Sequence, residues 1–199
     1  MDKSKKPSIF GGEQVLFLRL KKHKDKQAYI EAYDLYISQI FRFVYFKIGN
    51  KEEAEDITSL VFLKCWNYIY EGNLETKDTL KSLLYKIARN TVIDHYRSSK
   101  KRDTVSLDQA AELVDEKQNL ETEIAVGMEF QQLISERLPK LKEEYRDVII
   151  LRFINELSIT EIARILGKSS GNTRVLVHRA LQSLQDISDS DSDESLNQK

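Results

Sequence analysis

The sequence predicts an all-α protein: two helical domains joined by an acidic linker. Three observations carry that expectation. Only seven Gly and two Pro interrupt the 199 residues, which favours long helices over strands and tight turns. Apolar residues recur three and four apart, the period of a helix with one buried face. Charge is gathered into blocks. Leu74 to Arg102 holds eight Lys/Arg against three Asp/Glu, whereas Asp103 to Val126 holds seven acids against one Lys. A third block, Asp186 to Lys199, has five acids and one Lys. The formal net charge of −1 alone would argue against a nucleic-acid binder. The blocks instead give separate segments separate roles, or else they are solvated helix faces and linkers.

In chain order, residues 1–28 form a basic lead with a short apolar patch, Val15 to Leu20. It is either a short helix or a loosely docked tail. The first domain is expected over 29–102. Its opening helix places Ile30, Tyr33, Ile37, Ile40, Val44 and Ile48 on one face and stops at Gly49-Asn50. Asn50 caps the next helix, with Glu53 three residues on as in a capping box. That helix runs to about Tyr70 with Ala54, Ile57, Val61, Cys65 and Tyr68 inward. A loop at Glu71-Gly72-Asn73 leads to a third helix from about Asp78 to Ser99. Its buried positions are Leu80, Leu84, Ile87, Ala88 and Val92, and it ends in a basic tip, Arg97 to Arg102.

Residues 103–128 read as the acidic linker. The second domain, 129–185, opens with Phe130, Leu133, Ile134 and Leu138. After Pro139 a helix from about Lys142 to Ile154 turns Tyr145, Val148, Ile149 and Phe153 inward. The tail, 186–199, alternates Ser and Asp and is expected to be disordered.

The sharpest local pattern is Ser158 to Gln185. Ser158-Ile-Thr-Glu161 is a capping box, so a helix starts at Ile159. Ile162, Ala163, Ile165 and Leu166 face inward, and Gly167 ends the helix in left-handed geometry. Ser169 or Ser170 caps a second helix, expected to bury Val177, Leu181 and Leu184. Its other face shows Asn172, Arg174, Val175, His178, Arg179 and Gln182. This is a helix-turn-helix, whose second helix enters the major groove by its N-terminal part. Asn172 suits adenine and Arg174 guanine; Arg179 and Lys168 suit phosphates. The plainer alternative is a helical hairpin with a solvated face.

Several classes are set aside. No run of residues approaches the ~18 apolar positions of a membrane span. The basic start lacks an apolar signal core, so export is not expected. A lone Cys65 fits a reducing cytoplasm. Three scattered His and one Cys predict no metal, and no cofactor is expected. No nucleophile–base arrangement or phosphate-cradling Gly loop is present, so the chain is not expected to be an enzyme.

At these residues the chain resembles a family. Leu138-Pro139 with Glu144 to Phe153, then Ser158 to Gly167, then Gly171 to Ala180, are similar to the fourth conserved domain of bacterial sigma factors. Ala54-Glu55-Asp56-Ile57 with Val61 to Lys64 and Trp66 resembles their polymerase-docking helix. Leu83 to Asn90 with Ile93 to Arg97 resembles their promoter-melting helix. Two blocks in this order, with no domain between them, mark the extracytoplasmic-function group of the sigma-70 family.

The resemblance implies a transcription initiation factor that binds core RNA polymerase and directs it to promoter DNA. It would read and melt the minus-ten element and read the minus-thirty-five element. Glu55, Asp56, Ser59, Phe62, Leu63 and Lys64 would bind polymerase. Trp66 is either part of that surface or part of the core. Lys77, Lys86, Arg89, Asn90, Arg97 and Lys101 would meet the melting element, where an unstacked base lodges in a loop pocket. Lys168, Ser169, Ser170, Asn172, Thr173, Arg174, His178 and Arg179 would meet the distal element. An anti-sigma protein is a further partner of such factors. The chain departs from the pattern at Ser59-Leu60, at Leu83 in place of a common Trp, and at Val175-Leu176 in place of a common Ser-Arg. Two other classes are a DNA-binding regulator that never touches polymerase, and a polymerase adaptor without promoter recognition.

Overall fold

The computed structural model describes residues 9–74, 79–103 and 136–196, and every regular element among them is helical. Helix α1 spans Ile9–His23, α2 Lys26–Ile48, α3 Lys51–Tyr70 and α4 Leu80–Asp103. A single 3-10 turn at Leu138–Lys140 precedes α5 (Glu143–Ile149), which continues as a wide π turn over Ile150–Ile154. Then come α6 (Ile159–Leu166) and α7 (Ser170–Leu196). The linker expected over 103–128 lies outside the described residues except for Asp103, as do Phe130, Leu133 and Ile134.

From Ile9 the basic lead is a helix, docked through buried Leu16 and Leu20. Arg19 ties it down by pairing with Asp25 at 2.8 Å and Glu31 at 3.0 Å. Asp25 also caps α2, accepting from the backbone of Gln27 and Ala28. The Ala28 amide, then Arg19, hold its carboxyl below the ordinary range.

The buried stripe of α2 is Ala28, Ala32, Tyr36, Ile40, Phe43 and Val44. Ile30 and Tyr33, expected inside, are exposed. Tyr36 and Phe43 are large aromatics buried against the other helices, and they set the face. Gly49 (φ 82°) closes α2, and Asn50 accepts from the Glu53 amide at 3.0 Å. Glu53 does not complete the expected box; its carboxylate meets His95 at 3.1 Å. Helix α3 buries Ala54, Ile57, Val61 and Cys65 as expected, with Ile69 rather than Tyr68 last. Helix α4 begins at Leu80 behind a reciprocal cap: the amides of Thr79 and Ser82 each donate to the other's hydroxyl at 3.1 Å.

In the second half, the π turn changes the helical phase. The Asn155 amide donates to the Ile150 carbonyl at 2.9 Å, one residue beyond α-helical spacing. Ile150, Leu151 and Ile154 therefore point inward, and Phe153, expected inside, is exposed. Helix α6 has the predicted capping box and ends at Gly167 (φ 66°). In α7 the buried positions are Thr173, Leu176 and Ala180; Val177 and Leu184 are half-buried and Leu181 is exposed. Burial of Thr173 rotates the stripe by a residue from the Val177–Leu181–Leu184 expectation. The helix runs on through Leu196, so the acidic segment from Asp186 is helical rather than disordered over the described residues. Ile187 packs against the core and carries the helix past Gln185.

The halves share one continuous apolar core. Helix α6 lies against α4, and the π turn lies against α2. Asn155 stitches the seam, donating at 2.9 Å both to the Gln39 carbonyl and to the Tyr85 hydroxyl.

Candidate polymerase and promoter interfaces

Helix α4 carries the basic surface of the first half. Its capped start fixes Lys81 toward α6, where the ammonium donates to Glu161 at 2.9 Å. Two turns on, Arg89 Nε donates to Asp147 of α5 at 2.6 Å. Lys47, at the end of α2, reaches the other oxygen of Asp147 at 2.5 Å. Asp147 is fully buried and Lys47 nearly so, while Arg89 is half-buried. Two cations on one carboxylate satisfy a charge that burial alone would make costly. Toward the far end of α4, Asn90 and Arg97 are exposed; Lys86, nearer the start, is half-buried. Lys77 lies outside the described residues, and Lys101 falls within α4 with no described side chain.

The α6–α7 pair is built as a helix-turn-helix. Ser158 and Glu161 fix the entry, Gly167 makes the turn, and Ser169 Oγ accepts from the Asn172 amide at 3.1 Å. Asn172, Arg174, Val175, His178 and Arg179 then stand exposed on α7. Lys168, in the turn, pairs with Glu144 at 2.9 Å; both groups are partly exposed, so the pair holds weakly.

On α3, Glu55, Asp56, Ser59 and Leu63 are exposed. Helices α2 and α3 meet at two ring pairs, Tyr29–Trp66 at 4.9 Å and Tyr33–Phe62 at 4.7 Å. The Tyr29 hydroxyl donates to the Phe62 carbonyl. Ile30 on α2 and Leu60 and Leu63 on α3 leave apolar side chains in solvent, Leu63 at 56% exposure.

Residues 32–102 match sigma-70 region 2, and residues 131–184 match sigma-70 region 4. The Bacillus subtilis extracytoplasmic-function RNA polymerase sigma factor SigW is 30% identical over 183 residues, covering 87% of this chain and 96% of its own. The chain is an extracytoplasmic-function sigma factor of the sigma-70 family. Its likeness to Streptomyces coelicolor BldN, another such factor, is 29% over 160 residues, 80% of this chain and 60% of BldN. Its fold is shared with CnrH, solved in complex with the cytosolic domain of CnrY (TM-score 0.65, 16% identity, covering 90% of this chain and 99% of CnrH). Bartonella quintana RpoE, solved with the anti-sigma factor NepR, is also similar (TM-score 0.59, 22% identity, 79% of this chain and 94% of RpoE). The sigma factor is a transcription initiation factor. Among its described residues no helix is long and apolar enough to cross a membrane.

Several expected site residues of the sigma factor stand elsewhere than the sequence suggests. Phe62 is only 4% exposed and belongs to the core. Lys64 is half-buried, its ammonium donating to Thr91 Oγ1 at 3.3 Å. Trp66 is half-buried and packed on Tyr29, so it serves the core. Thr173 is fully buried, its hydroxyl donating to the Ser169 carbonyl at 2.9 Å, and so cannot reach DNA. Leu83 and Leu176, where the sequence departs from the family pattern, are both core residues and leave the outer faces intact. Sequence reasoning missed the Lys47–Asp147–Arg89 cluster. Its one sequence signal is Asp147 directly before the apolar run Val148 to Leu151.

Proposed function

We propose that this sigma factor works in the cytoplasm through three separate surfaces. The exposed strip of α3 with Ile30 and Tyr33 of α2 docks on core polymerase, with Glu55, Asp56, Ser59 and Leu63 as its contacts. Helix α4 from Lys86 outward, with Lys86, Asn90, Arg97 and Lys101, and the loop before it, with Lys77, meets the minus-ten element and takes up an unstacked base. Arg89 joins this surface once Asp147 releases it. The helix-turn-helix reads the minus-thirty-five element as duplex. Asn172, Arg174 and His178 face base edges there, while Lys168, Ser169, Ser170 and Arg179 face phosphates. An anti-sigma protein is a further partner in this reading.

The observation that supports it best is the capped helix-turn-helix with an uninterrupted exposed face on α7. Two weak DNA contacts on one chain gain affinity through effective concentration. The test is reconstitution of the sigma factor with purified core polymerase. Co-elution and promoter-dependent transcripts are expected. Failure to co-elute would sink the polymerase surface; co-elution without such transcripts would sink the promoter surfaces.

A further inference from the structure

One exposed side chain on α7 is out of character with its surroundings. Val175 is 50% exposed. On a helix surface its neighbours are the residues three and four away. Those are Gly171, Asn172, His178 and Arg179, and all four are exposed. Val175 is therefore the centre of the face, not its flank, and the only apolar group among the five. The core-facing stripe, Thr173, Leu176 and Ala180, lies on the opposite side. Packing thus gives no reason for a valine here.

Gly171 is the second observation. A Cβ placed there would meet only Ser169 Oγ, at an ordinary 3.9 Å. The fold does not require glycine at this position, and its φ is not left-handed. What glycine does is lower the helix surface directly beside Val175, by one turn toward the N-terminus. That is the end of a recognition helix that approaches bases most closely. A shallow step beside a branched apolar side chain suits a small apolar group standing out of the groove floor. In the major groove the one such group on the four bases is the thymine 5-methyl. Phosphates and amide edges would be served by the polar residues around it, not by Val175.

We propose that Val175 is a specificity-determining residue, packing its methyls on the 5-methyl of one thymine in the distal promoter duplex. The proposal rests on the reading of α7 as the helix that enters that duplex. Burying one methyl is worth about 0.8 kcal/mol, close to a fourfold change in affinity.

The test uses holoenzyme assembled from core polymerase and the full chain. A distal duplex is first selected from a randomised pool. Each thymine is then replaced in turn by deoxyuridine, which removes only the methyl. At one position the wild type should bind about fourfold more weakly. The Val175→Ala holoenzyme should bind thymine and deoxyuridine alike at that position, at about the wild-type level for deoxyuridine. Val175→Thr, which keeps one methyl, should retain part of the discrimination. If every thymine tolerates deoxyuridine, or if Val175→Ala keeps the full methyl effect, the proposal is overturned. If the pool yields no preferred distal sequence at all, the underlying reading of α7 fails, and Val175 with it. Because Val175 lies in solvent, its variants should melt with the wild type, so a binding change reports contact rather than folding.

Discussion

The two helices proposed to face DNA, α4 and α7, are presented very differently. Helix α4 is engaged along its inner turns: Lys81 is held by Glu161 and Arg89 by Asp147, both from the second half. Helix α7 keeps its polar face in solvent from Gly171 to Gln182. The difference lies in what each basic group can find within reach. Burial against the second half sets carboxylates against Lys81 and Arg89 of α4, whereas Arg174 and Arg179 of α7 stand exposed, and Lys168 in the turn before α7 pairs with Glu144. In this arrangement the surface proposed to read duplex is open, and the surface proposed to meet the melting element is partly spent on holding the molecule closed. In the proposed reading, Arg89 leaves Asp147 before it meets DNA.

The strongest way to break this contrast is at Asp147. Asp147→Ala takes from Lys47 its buried partner and leaves it the exposed Glu143, 3.8 Å away, and losing one partner of a buried ion pair costs about 3–5 kcal/mol. Thermal melting should fall accordingly, and small-angle scattering should show an expanded molecule. Replacing Lys47 by Met and Asp147 by Leu together should restore most of the stability, because paired charges and packed hydrocarbon are nearly interchangeable. An unexpanded Asp147→Ala protein would mean that the apolar seam, with the Asn155 and Lys81–Glu161 contacts, holds the halves without Asp147.

On the open side, Arg174→Ala should cost about 1–3 kcal/mol at one promoter position and relax its preference there. Lys168→Ala should instead weaken all promoters alike and lower the salt slope by about one. Competition binding across promoter variants separates the two patterns. A uniform effect of Arg174→Ala would move it from base to phosphate.

Smaller still is the cap that joins both regions. Ser158→Ala should lose about 1 kcal/mol by removing the α6 cap, measurable by denaturant unfolding. Glu161 serves that cap and also holds Lys81. Burial raises its carboxyl, but hydrogen bonds from Ser158 and Lys81 outweigh burial and leave it below its ordinary value of 4.5. A carboxyl lowered by folding stabilises above its unfolded value, and that contribution is lost as pH falls through the folded one. The gap in melting temperature between wild type and Glu161→Gln should therefore narrow below about pH 4.5. A gap independent of pH would show that Glu161 acts here by its hydrogen bonds alone.

Local features were the readable ones. Asn50, Ser158 and Gly167 act on the backbone beside them, so their roles follow from neighbours in sequence. The stripe of α3 followed from its period for the same reason. Three other stripes were misjudged where distant packing chose the face: Tyr36 and Phe43 turned α2, the π turn displaced Phe153, and buried Thr173 shifted α7. Glu53 could have completed its own cap, but His95, 42 positions away, took it. Asp147 looked like one acid in an amphipathic helix. Its two partners lie 100 and 58 residues upstream, and no spacing rule reaches that far. Of the candidate site, the α7 face was legible because solvent exposure follows the helical period. The state of Arg89 was not, because it depends on a contact between halves.

Lys47 also makes the molecule its own recorder. An ammonium enclosed by Asp147 and the core is shielded from amine-reactive reagents, whereas Lys51, four residues on, is exposed. When closing outpaces labelling, a hidden group reacts in proportion to the time its cover is off. The ratio of acylation at Lys47 to that at Lys51, read by mass spectrometry, then counts how often the two halves separate. Adding core polymerase or promoter to the same tube would show which of them lengthens those intervals.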